Sequence, residues 1–212
     1  MASQLERAVE LMDRLRSPGG CPWDAEQTHS SLLPFLLEET HEVIEAVEGG
    51  DRDHLAEELG DLLLQVVFHA RLAEEHPDTP FDIDDVAGGI VAKLVRRHPH
   101  VFADADAATP GEVERNWERL KAEEKQREGV FDGIPATLPA LARAQKMLDR
   151  LDRRLGPDQS LVATGDAAGD DDVALALIDA VVAASAQGRD AEAVLRAALR
   201  RLAGATQGSM EA

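Results

Sequence analysis

Two pairs of carboxylates stand where a helical hairpin should be apolar, and they constrain the fold more than any other feature. Glu39 and Glu42 are three residues apart, as are Glu58 and Asp61. Residues at this spacing share one face of a helix, and Gly49-Gly50-Asp51 between the pairs is a turn signal. Folding back at this turn sets Glu42 level with Glu58. It also sets Glu39 level with Asp61, on stripes otherwise occupied by leucine, valine and alanine.

Four converging carboxylates that are removed from water need a compensating cation. Oxygen-only ligands favour a hard ion, Mg²⁺ with Mn²⁺ as a substitute, over Zn²⁺. The alternative is that these are solvated helix side chains that contact nothing, as we expect of other acidic residues nearby. Because two inward pairs lie in register across one turn, we predict a metal site whose ligands are Glu39, Glu42, Glu58 and Asp61.

Composition favours an all-α protein without a membrane segment. The 212 residues include ten prolines and no tyrosine, with abundant alanine, leucine, glutamate and arginine. A net charge of −19 argues against a nucleic-acid polymer as partner, since a phosphate backbone needs a basic face. It does not exclude a nucleotide, because a metal can reverse the local field. No apolar run reaches membrane length and no signal peptide is evident. The single cysteine, Cys21, forms no internal disulfide. We expect a cytoplasmic protein.

Hydrophobic periodicity and cap signals place the helices. We predict helices over about 3–16, 30–48, 53–75, 84–97, 110–127, 137–153, 172–187 and 190–203. Thr28 or Ser30 is the expected cap of the second helix and Asp82 that of the fourth, while Pro110 opens the fifth. Residues 17–24 and 98–102 are predicted loops.

The carboxylate spacing, E-x-x-E, fifteen residues, then E-x-x-D, is similar to that of the all-α nucleoside triphosphate pyrophosphatases. More narrowly, the chain resembles the MazG family. CPWD (21–24), RRHPHVF (96–102) and the NWE-x-x-K-x-E-E-K run (116–125) are specific to that family. The matching stretches cover the first two thirds of the chain. The resemblance implies a helical bundle completed by a homodimer or higher homo-oligomer. It also implies a Mg²⁺-dependent hydrolase of acid anhydrides, which cleaves nucleoside triphosphates at the α–β bond to monophosphate and pyrophosphate and cleans the nucleotide pool.

Domain boundaries follow from composition. Residues 1–155 are the expected MazG-like catalytic domain, and 156–171 are predicted to be a flexible acidic linker. The tail, 172–212, contains a faint internal repeat, in which Glu58 aligns with Val173 and Asp61 with Ala176. Two interpretations stay open. The tail is a metal-free remnant of a second such domain, or two alanine-rich helices align by chance.

Fixed positive charge is expected where phosphates extend beyond the metal. Lys93 and Arg97 are four apart on one helical face, with Arg96 beside them. The resemblance places Lys93 and Arg97 at phosphate-binding positions. The alternative is that they complement the dipole at a helix C-terminus. We interpret His98 and His100 as structural, since the carboxylate set needs no nitrogen ligand.

Two tryptophans complete the candidate substrate site. Trp117 and Lys121 are four apart, which suits base stacking with a phosphate contact. Trp23 either packs its loop over the hairpin or lines a base pocket. Glu38 lies beside the predicted metal ligand Glu39, and one interpretation is that it orients or deprotonates the attacking water. The alternative is that it only supports the metal ligands or only contacts solvent. Glu38 and Glu39 are therefore the candidate catalytic residues.

Two other functions compete with this hypothesis. One is a narrower pyrophosphohydrolase acting on dUTP or a phosphoribosyl nucleotide, against which CPWD and RRHPHVF weigh. The other is a non-catalytic protein that senses a nucleotide or a metal, against which the intact carboxylate set weighs. An oligomer is expected on physical grounds too, because residues 61–68 are apolar around most of the helix and need covering.

Overall fold

In the part of the chain that the structure describes, the fold is built from α-helices. The computed structural model describes residues 2–103, 109–124, 129–156 and 171–210, and every regular element in these ranges is an α-helix. The helices are α1 Gln4–Arg16, α2 Pro22–Glu26, α3 Leu33–Gly49, α4 Arg52–Ala73, α5 Ile83–Arg97, α6 Pro99–Phe102, α7 Pro110–Glu124, α8 Ala140–Leu155, α9 Asp172–Ala186 and α10 Ala191–Met210. The predicted all-α class is confirmed. None of the helices described is long and apolar enough to cross a membrane.

The hairpin of α3 and α4 is built where the sequence predicts it. Gly50 ends α3 in the left-handed region, with φ of 72°, a conformation that costs glycine little. Asp51 then begins α4 as its N-cap, and its carboxylate accepts hydrogen bonds of 3.1 Å from the backbone N–H groups of Asp53 and His54. One residue therefore reverses the chain and the next starts the new helix, so α3 packs along α4.

The chain divides into two compact units, the first spanning Met1–Trp117. Its core joins α1, the segment before α3, and α4, through Met12, Leu32, Val67, Phe68 and Leu72. Both α1 and α5 pack against α4. The longest helix of the unit thus carries the metal-ligand candidates at one end and the core at the other.

The second unit spans Glu118–Ala212, and its core is formed by Leu148, Val181 and Ala191. Here α8 packs against both tail helices, α9 and α10. The predicted catalytic domain ends at residue 155, at the end of α8. This helix packs with the tail helices. Residues 157–170 of the predicted linker lie outside the described residues. The origin of the tail as a remnant of a second domain stays a prediction.

Two predicted loops contain short helices. Residues 17–24 overlap α2, and residues 98–102 contain α6. Each helix is led by a proline, Pro22 or Pro99, at its first position, where the fixed φ of proline suits a helix and its missing N–H is not needed. The loop prediction was wrong there because glycine, proline and histidine dominate these stretches.

The predicted cap of α3 was also wrong. Neither Thr28 nor Ser30 caps it, since its N-cap is Leu32 and makes no side-chain cap hydrogen bond. Thr28 instead closes the preceding turn with Ser31. The backbone N–H of each donates to the hydroxyl of the other, at 2.9 and 3.1 Å. Thr28 therefore has the hydrogen bonds of a cap, but they close the turn that precedes α3 and do not start the helix. The predicted caps Asp82 and Pro110 are found at α5 and α7.

Candidate active site

Three of the four predicted carboxylates converge between α3 and α4. Single carboxylate oxygens of Glu39, Glu58 and Asp61 all lie within 4.8 Å of one another. Glu42, the fourth predicted ligand, is not among these three, but its negative charge raises the pKa of both Glu39 and Glu58. The arrangement follows from the 3-residue spacing on each helix and the short turn between them.

Burial and repulsion perturb the acidity of this cluster. Glu58 is only 7% exposed, and Glu39 and Asp61 are half-buried. Burial raises the pKa of Glu39, and the negative charges of Asp61, Glu42 and Glu58 raise it further. The pKa of Glu58 is raised by burial and by Glu42. Carboxylates that resist ionisation together are typical of a site that a cation stabilises.

The donor set fits a divalent hard cation. Glu39, Glu58 and Asp61 can each present one oxygen to a common point, and Glu42 adds a fourth carboxylate beside them. Mg²⁺ binds few protein carboxylates and keeps room for waters and substrate phosphates. Glu39 and Asp61, which are half-buried beside the buried Glu58, suit that requirement.

His54 is a neighbour of the cluster that the sequence analysis missed. Its Nε2 lies 2.8 Å from Glu58 Oε1, and its positive charge lowers the pKa of Glu58 against the larger raising effects. His54 and Glu58 are four apart on α4, so the contact is an ordinary helical i,i+4 pair. This spacing was the signal that could have revealed it.

The predicted basic and aromatic residues form a second group, around the end of α5. The Arg97 side chain is buried, with the residue 6% exposed, and its guanidinium lies 5.0 Å from the centroid of the Trp117 ring. His98 packs edge-on against the same ring at 5.0 Å, and its Nδ1 lies 2.7 Å from the carbonyl oxygen of Leu94. Cation–π contact of this kind fixes both the arginine and the tryptophan.

The other predicted site residues are exposed or half-buried. Lys93 and Arg96 are exposed on α5, Glu38 is exposed on α3, and Lys121 is half-buried on α7, one turn beyond Trp117. Their roles stay predictions. Trp23 is 51% exposed.

Trp23 lies on the short helix α2, and contacts with other parts of the chain hold this segment in place. Its ring meets Phe35 edge-on, with centroids 5.9 Å apart. Arg16, whose side chain is 4% exposed, donates to the backbone carbonyls of Asp24 and Gln27. The guanidinium also pairs with both carboxylate oxygens of Glu75, at 2.9 and 3.0 Å. One buried arginine therefore connects the segment around Trp23 to Glu75, which follows α4.

A third polar group went unnoticed in the sequence. Gln65 and His69 follow Asp61 at four-residue spacing on α4, and His69 contacts His29 with 2.8 Å between their Nδ1 atoms. Buried polar side chains in a run that reads as apolar are a signal. The contact with His29, which comes from a loop, is one that periodicity does not predict.

Comparison with known proteins agrees with the geometry. Residues 27–102 match the family described as MazG nucleotide pyrophosphohydrolase domain. Over 201 residues the chain is 48% identical to an uncharacterized 26.1 kDa protein of Streptomyces cacaoi, and the match covers 92% of this chain and 78% of that protein. The chain belongs to the MazG family. The segment that matches the MazG description contains α3, α4 and α5, and therefore both carboxylate pairs.

Other relatives of the MazG-family chain carry an activity in their names. The nucleoside triphosphate pyrophosphohydrolase of Escherichia coli K12 is 49% identical over 152 residues, which are 70% of this chain and 57% of that protein. The protein of the same name from Mycolicibacterium smegmatis is 48% identical over 164 residues, 76% of this chain and 50% of its own length. The chain thus spans 50% to 57% of the length of these two relatives.

Proposed function

We propose that this chain is a Mg²⁺-dependent nucleoside triphosphate pyrophosphohydrolase, which adds water across the α–β anhydride and releases a nucleoside monophosphate and pyrophosphate. The observation that carries the proposal is the convergence of Glu39, Glu58 and Asp61 within 4.8 Å. The names of relatives at 48% to 49% identity support it. Mn²⁺ is the expected substitute ion.

The chain's residues divide the work of this reaction. A bound divalent cation neutralises phosphoryl oxygens and activates water. Glu39, Glu42, Glu58 and Asp61 hold that cation. Glu38, next to the first ligand, accepts the proton of the attacking water. Because Glu38 is exposed, it can reach a water that enters with the substrate.

Positive and aromatic side chains address the rest of the nucleotide. Lys93 and Arg97 hold the phosphates beyond the metal, with Arg96 and Lys121 adding positive charge. Arg97 is already fixed against Trp117, so little side-chain entropy is lost when it contacts a phosphate. Trp23, which is 51% exposed, and the half-buried Trp117 are the candidate rings for the base.

A homodimer is the proposed assembly. Leu59, Leu63, Leu64 and Val66 on α4 are all at least 39% exposed in the single chain. They lie on the helix that carries two of the metal ligands. A second copy packing its own α4 there would bury this apolar surface in a helical bundle.

Pyrophosphate release tests the function. Purified protein is incubated with Mg²⁺, Mn²⁺ or Ca²⁺ and a panel of standard and damaged nucleoside triphosphates, with dUTP and a phosphoribosyl nucleotide included. The proposal expects monophosphate and pyrophosphate in equal amounts from several nucleosides. Turnover of dUTP alone would favour the narrower enzyme. Binding of nucleotide without any turnover would instead favour a sensing protein.

A further inference from the structure

A polar stripe of buried and half-buried residues continues along α4 beyond the carboxylate cluster. Glu58, Asp61, Gln65 and His69 follow one another at spacings of three and four residues, which keeps them on one face of the helix. At a rise of about 1.5 Å per residue, Gln65 lies one turn and His69 two turns past Asp61. A substrate whose phosphates bind the cluster would extend its sugar and base in one direction along such a stripe.

Two atoms of this stripe are buried with unused hydrogen-bonding capacity. Gln65 is 5% exposed, and among the described residues neither its Oε1 nor the Nε2 of His69 has a hydrogen-bond partner. A buried polar atom without a partner lowers stability, and such atoms are rare in native proteins. Two of them one turn apart, next to a cluster of functional carboxylates, point to a ligand that supplies the missing bonds.

Nε2 of His69, the ring nitrogen that does not contact His29, can either donate or accept a hydrogen bond. The His29 and His69 rings are nearly coplanar, at 7°, with centroids 5.1 Å apart and Nδ1 atoms 2.8 Å apart. That centroid separation equals the nitrogen–nitrogen distance plus one ring radius at each end, so the rings lie end to end, joined by one N–H···N hydrogen bond. Burial and the charge of His29 lower the pKa of His69, which keeps its imidazole neutral. When His69 Nδ1 donates to His29, Nε2 accepts, and when Nδ1 accepts, Nε2 donates.

An aromatic pair stands at the same level of the hairpin. Phe35 is four residues before Glu39 on α3, and Gln65 is four residues after Asp61 on α4. Because the two helices run antiparallel, Phe35 and Gln65 are each one turn beyond the metal cluster on the same side. Trp23 meets Phe35 edge-on and remains half exposed, which leaves an aromatic surface next to the polar stripe.

We propose that Gln65 and His69 recognise the hydrogen-bonding edge of the substrate's nucleobase, beside the aromatic surface of Trp23 and Phe35. The hydrogen bond with His29 sets whether Nε2 of His69 donates or accepts. This inference rests on the proposed function. A primary amide offers both a donor and an acceptor, and the His29–His69 pair interchanges them at His69 Nε2. The site therefore meets an amino base and a keto base with the same side chains.

The discriminating variant is Gln65→Met, which keeps the length of the side chain and removes its polar atoms. We expect kcat/KM for ATP and CTP to fall about tenfold, the loss of one buried hydrogen bond, while kcat/KM for ribose 5-triphosphate, which has no base, stays unchanged. Because the substitution removes an unpartnered polar group, the Tm of the free protein should rise by a few degrees. Equal losses on all three substrates, or a lower Tm, would overturn the assignment.

Gln145→Met is the matched control. Gln145 is on α8, and its amide is satisfied, since Nε2 donates to the Arg189 carbonyl at 2.9 Å and Oε1 accepts from the Ala191 N–H at 2.8 Å. The same substitution there should lower Tm and leave the ratio of ATP to ribose 5-triphosphate turnover unchanged. A second variant, His69→Phe, should reduce that ratio as Gln65→Met does, and an unchanged ratio in both variants would overturn the inference.

Binding separates this inference from the proposed function. Calorimetric titration with α,β-methylene ATP, which cannot be cleaved at the α–β position, measures base recognition without turnover. If wild-type protein releases no pyrophosphate but binds this analogue, and Gln65→Met binds it about tenfold more weakly, the base site stands and the proposed reaction fails. Turnover by the wild type with equal analogue affinity in both proteins would reject the base site alone.

Discussion

At the scale of single residues, the carboxylates of the cluster occupy positions that lower the stability of the folded protein. Glu58 is almost fully buried, and the charge of each neighbouring carboxylate raises the pKa of Glu39. A helix hairpin with leucines at these positions would pack without repulsion. The cluster therefore makes sense as a binding site that is destabilising until it is occupied.

Removing one metal ligand should separate activity from stability. Glu42→Gln and Asp61→Asn are expected to lower kcat/KM by about 100-fold or more while the protein stays helical. In buffer with a chelator, each variant should unfold about 2–4 °C higher than wild type for every kcal/mol of repulsion removed. Circular dichroism melts and pyrophosphate release measure the two effects.

Glu45→Gln provides the comparison. Glu45 is exposed on α3, one turn after Glu42. Its substitution removes the same charge from outside the cluster. It should match wild type in both assays. Near-normal turnover of Glu42→Gln at limiting Mg²⁺ would reject the ligand assignment.

The same cluster makes stability depend on pH in a definite direction. A carboxyl whose pKa is raised on folding stabilises the protein below its ordinary value, here 4.5, and this contribution is lost as pH rises through the folded pKa. With a chelator present, Glu39 and Glu58 should therefore lower Tm as the pH increases above 4.5. Mg²⁺ should raise Tm more at pH 7.5 than at pH 5, because the ion must displace protons at the lower pH.

Glu75 acts in a separate pH window. Its hydrogen bond with Arg16 lowers its pKa, despite burial, so its contribution is present above 4.5 and is lost as pH falls through the folded pKa. Thermal melts from pH 3 to pH 8, with Mg²⁺ and with chelator, distinguish the two. A Mg²⁺ effect on Tm that is equal at pH 5 and pH 7.5 would contradict the proposed coupling.

At the scale of helices, the α3–α4 hairpin determines the site, and its turn is short. Both glycines of the turn lack neighbours that an added Cβ would meet, yet their backbones differ. Gly50 has φ of +72°, whereas Gly49 is the last residue of α3. The two positions therefore separate backbone conformation from steric space.

Alanine at these two glycines should move stability in opposite directions. Gly50→Ala is expected to destabilise the protein by about 1 kcal/mol, because a Cβ disfavours the left-handed conformation. Gly49→Ala should stabilise it by about 0.5–1 kcal/mol, since alanine favours the helix. Denaturant titrations of both variants measure the difference. A destabilised Gly49→Ala would show that the helix end, and not the left-handed residue, controls the turn.

The long helices were predictable because their signals are local. Hydrophobic spacing placed α4, and the cap Asp82 placed the start of α5. The short helices α2 and α6 were missed, since four or five residues carry no periodicity. The carboxylate pairs were visible because both lie on one hairpin. The His29–His69 contact was not, because a loop residue meets a helix residue forty positions away.

At the scale of the whole molecule, the apolar residues exposed on α4 bear on assembly. Leu63 and Leu64 are exposed in the single chain, on the helix that also supplies Glu58 and Asp61. An apolar surface of this kind in an acidic protein is typical of an interface between copies. In the proposed dimer, the partner would pack against the helix that supplies Glu58 and Asp61 and so support the proposed metal site.

A charge placed on that surface should dissociate the dimer. Leu64→Glu is expected to convert dimer to monomer in light-scattering measurements and to reduce turnover, because a buried unpaired charge is costly at an apolar interface. Leu5→Glu, on the exposed first turn of α1, is the control and should leave the mass unchanged. Wild-type protein that is monomeric and fully active at low concentration would contradict the dimer.

The compactness of the hairpin also bears on how the protein folds. All four proposed ligands lie within residues 39–61, so the loop that must close to bring them together is short and costs little entropy. Local contacts of this kind are favourable candidates for the folding nucleus, but here the nucleus must gather negative charge. A divalent cation in the refolding buffer should therefore speed refolding more than it slows unfolding, since an interaction formed in the transition state acts on the folding rate.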